Sequence, residues 1–276
     1  MAQAVRAAAA RLAAAGIADG RREARLLLAH ALGLSTGDAV MNPDRIVCVD
    51  RFESLVSRRA RREPLALITG HREFWSLDFA VSADTLIPRS DSETLIQAAL
   101  AAFPDRHAAL RILDLGTGTG CLLLAALHEF PAGFGIGIDR NPDAASLAQR
   151  NAIALSLSGR AAFLCGDWTA PLDGRFDLIL CNPPYIPAGE IPRLMPEVAR
   201  YEPASALSGG SDGLDAYRAV IPRLAGLQSP HAVTILEVGH DQAAAVVRLA
   251  EAAGLVASLR ADLAGIDRAV VLRPAG

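Results

Sequence analysis

The chain has 276 residues, 51% of them hydrophobic and 21% charged, with a formal net charge of -3. That apolar fraction supplies a sizeable core and argues against a disordered chain, while the mildly acidic balance speaks against gripping a nucleic-acid backbone by bulk charge. All 27 basic residues are arginine, which excludes Schiff-base chemistry and a Walker-type phosphate loop, since both need lysine.

Residues 1 to about 62 read as helices, with Ala-rich stretches interrupted at Gly16, Gly20, Gly33 and Asn42-Pro43. The first segment lacks serine and runs straight into helical patterning, so it reads as a first helix rather than a targeting peptide. A later helix over about 50–62 ends in Arg58-Arg59-Ala60-Arg61-Arg62, cations that complement the helix dipole. Leu65 to Gly70 and Arg72 to Val81 read as short strands of a β-hairpin linker. Leu86-Ile87-Pro88-Arg89 leads into a helix for which Asp91 or Ser92 is the candidate N-cap.

From Arg111 the chain alternates strand and helix. Strands are expected at Arg111–Leu115, Gly133–Asp139, Ala161–Cys165, Phe176–Cys181 and Ala232–Val238, with two more at Val256–Arg260 and Arg268–Arg273. The alternation predicts an α/β fold with a doubly wound, mostly parallel sheet of seven strands. The last two strands are joined by a short loop around Gly265, which forbids a parallel crossover, so that pair is expected to be antiparallel. The expected division is a small N-terminal helical bundle over 1–62, a β-hairpin linker over 63–82 and a Rossmann-like domain over 83–276.

Four stretches gather at the carboxyl ends of successive strands, where open α/β sheets bind ligands. Asp114-Leu115-Gly116-Thr117-Gly118-Thr119-Gly120 is a glycine loop that lets the backbone turn tightly and approach a ligand. Its third glycine comes one residue early for a dinucleotide fingerprint, and Cys121 occupies the fingerprint position, which disfavours a nicotinamide or flavin dehydrogenase. Asp139 ends the second strand, where a carboxylate can accept ribose hydroxyls; the alternative is an N-cap for the helix beginning at Asn141-Pro142-Asp143, a role Asn141 can also take. Gly166-Asp167-Trp168 puts an aromatic beside the same crevice, to stack an adenine or to serve as core. Asp177-Leu178-Ile179-Leu180-Cys181 runs as a buried strand into Asn182-Pro183-Pro184-Tyr185. The prolines end the strand and make a rigid corner that presents an amide side chain, free carbonyls and an aromatic ring; the alternative is a Pro-Pro turn with a capping Asn.

No His or Cys pair has metal-ligand spacing, so no metal is expected. The four cysteines, Cys48, Cys121, Cys165 and Cys181, form no CxxC pair and suggest a reduced, cytoplasmic protein. No apolar run reaches membrane-spanning length, so no membrane partner is expected.

Taken together, DLGTGTG (114–120), the Asp after strand two, GDW (166–168) and NPPYIP (182–187) resemble the class I S-adenosylmethionine-dependent methyltransferases. EPLALITGHREFW (63–75), LIPRSDSETLI (86–96), DRNPDAASLAQRN (139–151) and YEPASAL (201–207) narrow the resemblance to the release-factor glutamine N5-methyltransferases, over nearly the whole chain. Ser90, where the family usually has proline, and Leu67, where it often has tyrosine, are small departures.

The resemblance implies methyl transfer from S-adenosylmethionine, with S-adenosylhomocysteine as product, to the side-chain N5 of the glutamine in the Gly-Gly-Gln segment of a peptide chain release factor. It implies that Gly116, Thr117, Gly118, Thr119 and Gly120 wrap the methionine part of the cofactor, that Asp139 binds the ribose and that Trp168 packs on the adenine. Asn182 is then shared between cofactor and substrate. Asn182, Pro183, Pro184 and Tyr185 hold the glutamine, and Asn182, Pro183 and Tyr185 carry the catalysis. The Asn182 side-chain oxygen and the Pro183 carbonyl are expected to accept one N–H each, and Tyr185 to wall the amide. The N-terminal helices are the expected grip on the release factor. An amino-methyltransferase acting on adenine or guanine in DNA or RNA is the alternative, because NPPY chemistry suits any conjugated NH2; the acidic balance makes direct nucleic-acid binding the weaker expectation. A non-catalytic cofactor-binding module is a further alternative, disfavoured by the intact motifs.

Overall fold

The computed structural model describes residues 2–34, 38, 49–170 and 172–275, which fall into two compact units. The expected helix break at Asn42-Pro43 and Cys48 lie outside the described residues.

The first unit comprises Met1–His71 together with Leu194–Tyr201. Helices α1 (Ala2–Ala14), α2 (Gly20–Leu32), α3 (Val49–Ala60) and α4 (Leu65–Thr69) surround Leu12, Leu27, Phe52, Val56 and Ile68, all buried. α2 starts on the Asp19 side chain, which accepts from the Arg22 N–H, and stops at Gly33 with φ 64°, a left-handed C-cap that satisfies its last carbonyls. Leu65–Thr69 is a helical turn rather than the expected strand. Pro64 precedes it with φ -55°, and Gly70 closes it at φ 81° with its N–H bonded to Ala66 O; proline before and left-handed glycine after are helix punctuation. The drawing-in of Leu194–Tyr201, a segment more than a hundred residues away in sequence, has no local signal.

Three arginines of the basic run that closes α3, Arg58, Arg59 and Arg62, are paired inside this unit. Arg59, 6% exposed, donates to Glu23 Oε2 at 2.5 Å and to Glu197 Oε1 at 3.0 Å. Arg62 forms a two-pronged pair with Glu197 at 2.7 Å on each oxygen, and Arg58 pairs with Glu63.

The second unit comprises Arg72–Arg193 and Glu202–Gly276. It opens with the hairpin of β1 (His71–Phe74) and β2 (Leu77–Ala80). Trp75 and Ser76 both have positive φ, 53° and 60°, the geometry of a two-residue hairpin turn that matches strand twist. The turn sits one residue earlier than Ser76-Leu77-Asp78, because Glu73 and Glu93 carboxylates cap the Ser76 and Trp75 N–H groups.

The remaining strands, β3 (Arg111–Leu115), β4 (Phe134–Asp139), β5 (Ala161–Cys165), β6 (Phe176–Cys181), β7 (Gln228–Glu237), β8 (Leu255–Ala261) and β9 (Asp267–Pro274), form one sheet. Its order is β5-β4-β3-β6-β7-β9-β8, parallel except at β9, which runs antiparallel to both neighbours. The seven-stranded doubly wound sheet and its antiparallel end are as the sequence predicts. Alternate side chains point to opposite faces of a strand, and here they supply two cores. Ile112, Leu178, Leu180 and Ile235 pack with helices α5 (Glu93–Ala102) and α6 (Cys121–Glu129). Leu113, Leu115, Ile179 and Cys181 pack on the other face, with Tyr217, Val220 and Val246. No helix among the described residues is long and apolar enough to cross a membrane.

Candidate active site

The strand order reverses between β3 and β6, so the crevice beyond their carboxyl ends is the topological switch point, where open α/β sheets bind ligands. The register pairs Leu115 with Cys181, which sets Gly116 beside Asn182. Asp139, at the end of β4, pairs with Cys165 at the end of β5, and Trp168 follows three residues on. The four stretches therefore meet on one edge, around a cleft of about 970 Å³ open to solvent. Gly116, Thr119, Asp139, Trp168, Asn182 and Pro184 are among its walls.

The glycine loop is held from below. Gly116 and Thr117 N–H groups both donate to Ile138 O at 2.9 Å, and Thr117 Oγ1 donates to Asp114 Oδ2 at 2.7 Å. Gly116, Gly118 and Gly120 have φ of 73°, 53° and 80°, a left-handed region that side chains rarely adopt. A Cβ on Gly120 would stand 3.0 Å from the Ala148 Cβ. Asp114 is 1% exposed, its Oδ1 has no hydrogen-bond partner, and burial pushes its carboxyl up to about 7. It is a buried carboxylate directly under the loop.

Asp139 faces the loop, accepting from Gly118 N on Oδ2 and from Asn141 N on Oδ1, each at 2.9 Å. Helix α7 (Pro142–Ala154) is capped by the Asn141 side chain, which accepts from the Asp143 N–H at 3.0 Å. Asp139 is thus not the side chain that caps α7. Trp168 is half-buried with φ 48°, and a Cβ on Gly116 would meet its ring at 3.5 Å, so the indole covers the first glycine.

The corner after β6 divides its side chains. Asn182 and Pro184 line the cleft; Pro183 and Tyr185 do not. Asn182 Nδ2 donates to Ser92 Oγ at 3.0 Å. Pro183 is buried, and among the described residues no donor is directed at its carbonyl. The Tyr185 hydroxyl donates inward to Glu237 Oε1 at 3.1 Å, and its carbonyl accepts from Gln242 Nε2 at 2.8 Å. The expected part for Tyr185 is an apolar wall. Its phenol instead takes a partner under the surface, as a buried tyrosine hydroxyl requires, and burial beside Glu237 raises its pKa.

Three contributors escape motif reading. Glu237, 2% exposed, ends β7, and burial pushes its carboxyl up to about 7; a lone charge in the apolar stretch Ala232–Val238 is the signal that marks it. Ser92 stands at the N-cap position of α5 yet makes no cap hydrogen bond. Glu202, buried, accepts from the Ile87 N–H at 3.2 Å and from the Arg89 guanidinium, so it fixes the 86–89 stretch whose Leu86, Pro88 and Arg89 line the cleft.

The family model of the PrmC N-terminal domain matches residues 3–70, and that of a methyltransferase domain matches residues 106–207. A release factor glutamine methyltransferase of Rhodospirillum rubrum is 48% identical over 95% of this chain and 82% of its own length. One of Cereibacter sphaeroides is 46% identical over 99% and 98% of the two chains. Among solved structures, a methyltransferase from Pyrococcus furiosus shares the fold with a TM-score of 0.55 at 15% identity, over 79% of this chain and 99% of that one.

Proposed function

This chain belongs to the family of release factor glutamine methyltransferases, and from that premise we propose that it transfers a methyl group from S-adenosylmethionine to the side-chain N5 of the glutamine in the Gly-Gly-Gln motif of peptide chain release factors. The observation that carries the reading is the Leu115–Cys181 register, which brings a glycine loop and a carboxamide to the two sides of one cleft.

The donor set suits the cofactor. Three left-handed glycines leave room where side chains would stand, and the Asp139 carboxylate is at the rim with acceptor capacity beyond its two backbone bonds. Gly116 to Gly120 would hold the amino-acid part, Asp139 the ribose and Trp168 the adenine. When bound, the cofactor supplies an electrophilic methyl on a sulfonium sulfur and leaves as S-adenosylhomocysteine.

The residues of this chain act on the acceptor. A glutamine amide nitrogen is a poor nucleophile, because its lone pair is delocalised into the carbonyl. The Asn182 side-chain oxygen and the Pro183 carbonyl each accept one of its N–H groups, which fixes the nitrogen and biases its lone pair toward the methyl. Positioning of this kind supplies up to roughly 7–11 kcal/mol in favourable intramolecular cases. Pro184 closes the wall against water, and Tyr185 holds the corner from behind. None of these residues has to act as a strong base, since the nitrogen becomes acidic once alkylated. We infer a cytoplasmic location, where release factors meet ribosomes.

The test is to incubate the purified chain with S-adenosylmethionine and an unmodified release factor, then to sequence the tryptic Gly-Gly-Gln peptide by fragmentation mass spectrometry. One added methyl on that glutamine is expected. An unmodified peptide from a chain that binds the cofactor would remove the release factor as acceptor and make a nucleic-acid amino group the next substrate to try.

A further inference from the structure

The strand order divides the carboxyl edge of the sheet into two halves. Gly116, Asp139 and Trp168 follow β3, β4 and β5 on one side of the Asn182 corner, which follows β6; β7, β9 and β8 lie on the other side. β9 runs antiparallel to β7, and β8 antiparallel to β9, so the turn between β8 and β9 emerges at the same edge as the corner. That turn is built to hold one shape. The Asp262 side chain, 6% exposed, accepts from the Ala264 and Ile266 N–H groups on Oδ1 at 2.9 and 3.0 Å, and from Arg268 Nη2 on Oδ2 at 3.2 Å. The Asp262 N–H donates to Ile266 O at 2.8 Å and the Gly265 N–H to Asp262 O at 3.0 Å. These bonds leave Leu263 97% exposed, more than any other large apolar side chain among the described residues, and Ile266 39% exposed. A scattered surface leucine is ordinary. This one crowns a turn fixed by its own hydrogen bonds, so an apolar partner can receive it without first ordering the loop.

Arg268 joins this turn to the corner. Its Nη1 donates to Val238 O at 3.3 Å, and Val238 follows Glu237, whose Oε1 accepts from the Tyr185 hydroxyl. Its Nη2 also stands 3.5 Å from Asp91 Oδ2, and Asp91 precedes Ser92, whose Oγ accepts from Asn182 Nδ2. One arginine side chain therefore separates the turn from the residues that touch both ends of the corner. A stable protein–protein contact covers about 800 Å² on each partner, a patch roughly 30 Å across. The cofactor reading assigns the β3–β4–β5 half of the edge to S-adenosylmethionine, which leaves the β7–β9–β8 half to a protein whose glutamine reaches Asn182. Such a protein covers the turn as well as the corner.

We propose that the β8–β9 turn is a docking knob for the release factor: Leu263 enters an apolar recess of that protein beside the loop that carries the glutamine, and Arg268 holds the knob at a fixed offset from the corner. The proposal rests on the reading that the acceptor glutamine is held at Asn182. Leu263 does not line the cleft, so the knob acts on affinity for the whole acceptor and not on the chemical step.

The test compares the wild-type chain with Leu263→Ser and Leu263→Met, using an unmodified release factor and S-adenosylmethionine. The readouts are kcat, KM for the release factor, release-factor Kd by calorimetry with S-adenosylhomocysteine present, cofactor Kd, melting temperature and oligomeric state by light scattering. Leu263→Ser is expected to raise the release-factor KM and Kd at least roughly fivefold, since a leucine buried in the complex is lost. Its kcat and cofactor Kd are expected to stay within about twofold of wild type, with an unchanged melting temperature. Leu263→Met, which keeps the apolar reach, is expected to hold the release-factor Kd within about threefold. An unchanged release-factor Kd in Leu263→Ser overturns the proposal. A fall in kcat at unchanged KM also overturns it, because the turn would then support the corner rather than dock the acceptor. A wild-type dimer that Leu263→Ser converts to a monomer overturns it too, by giving the knob to a second copy of this chain. A wild-type chain that binds cofactor but leaves the glutamine unmodified overturns the underlying reading instead.

Discussion

The backbone N–H of Gly118 donates to Asp139 Oδ2 at 2.9 Å, so the acid at the end of β4 shapes the glycine loop as well as facing the cleft. Asp139→Ala removes the proposed acceptor for a ribose and frees the loop at one stroke. Hydrogen bonds to a charged group are worth about 1.5–3 kcal/mol, so S-adenosylmethionine affinity should fall by roughly ten- to a hundredfold in calorimetry. Unchanged affinity would take Asp139 out of the cofactor site.

Asn182→Ala should separate chemistry from binding. It deletes the oxygen proposed to accept the glutamine N–H but leaves the loop, Asp139 and Trp168 in place. Turnover on the release factor should drop by about a hundredfold or more, while cofactor affinity changes by less than roughly fivefold. Near-normal turnover would show that Asn182 does not hold the acceptor.

Gly120→Ala tests the loop as a backbone device. Its φ of 80° and the 3.0 Å approach of Ala148 to an added Cβ both oppose a side chain, and left-handed geometry alone costs about 1–2 kcal/mol. A lower urea midpoint together with weaker cofactor binding is expected; an unchanged midpoint would mean that the turn relaxes freely.

The residues proposed to carry chemistry are legible where they lie in one stretch at the end of a strand. The glycine loop, Asp139, Trp168 and Asn182 can each be placed because parallel strands deliver their carboxyl ends to one edge. What stays hidden depends on side chains far apart in sequence. Ser92 looks like a helix cap, and only the Asn182 amide at 3.0 Å reveals another use. Tyr185 reads as a ring, and only the fold shows that its hydroxyl reaches Glu237. The short helix Leu65–Thr69 passes for a strand because a five-residue apolar run has no period to distinguish turn from strand, and the decisive cue is the left-handed Gly70 behind it.

Arg59→Ala should loosen the first unit. The guanidinium bridges Glu23 and Glu197, and its removal leaves both carboxylates facing each other with only Arg62 nearby. Breaking a buried pair from one side costs about 3–5 kcal/mol, and the rim position of Glu23, 19% exposed at its side chain, puts the expected loss toward the lower figure. Limited proteolysis should cut the first unit faster in the variant; equal cutting would mean that the cluster is dispensable.

Stability of the second unit should depend on pH through its two buried carboxyls. Burial raises Asp114 from 3.8 and Glu237 from 4.5, each to about 7. Between those ordinary values and about 7 the folded chain keeps protons that the unfolded chain has released. By linkage, stability is greatest at the acid end of that window and declines as pH rises through it, then levels off. A tenfold change in proton affinity corresponds to about 1.4 kcal/mol, so a loss on the order of 2–3 kcal/mol for each of the two carboxyls from about pH 5 to pH 7.5 is expected. Glu202, also raised by burial, acts in the same sense. His30, held below 6.5 chiefly by burial, belongs to the first unit and acts in the opposite sense. Both tryptophans, Trp75 and Trp168, lie in the second unit, so fluorescence in urea follows that unit alone. The wild-type midpoint should be higher at about pH 5.5 than at about pH 7.5, and Asp114→Asn should remove part of the difference. Equal midpoints would mean that the two carboxyls ionise as readily in the folded chain as in the unfolded one.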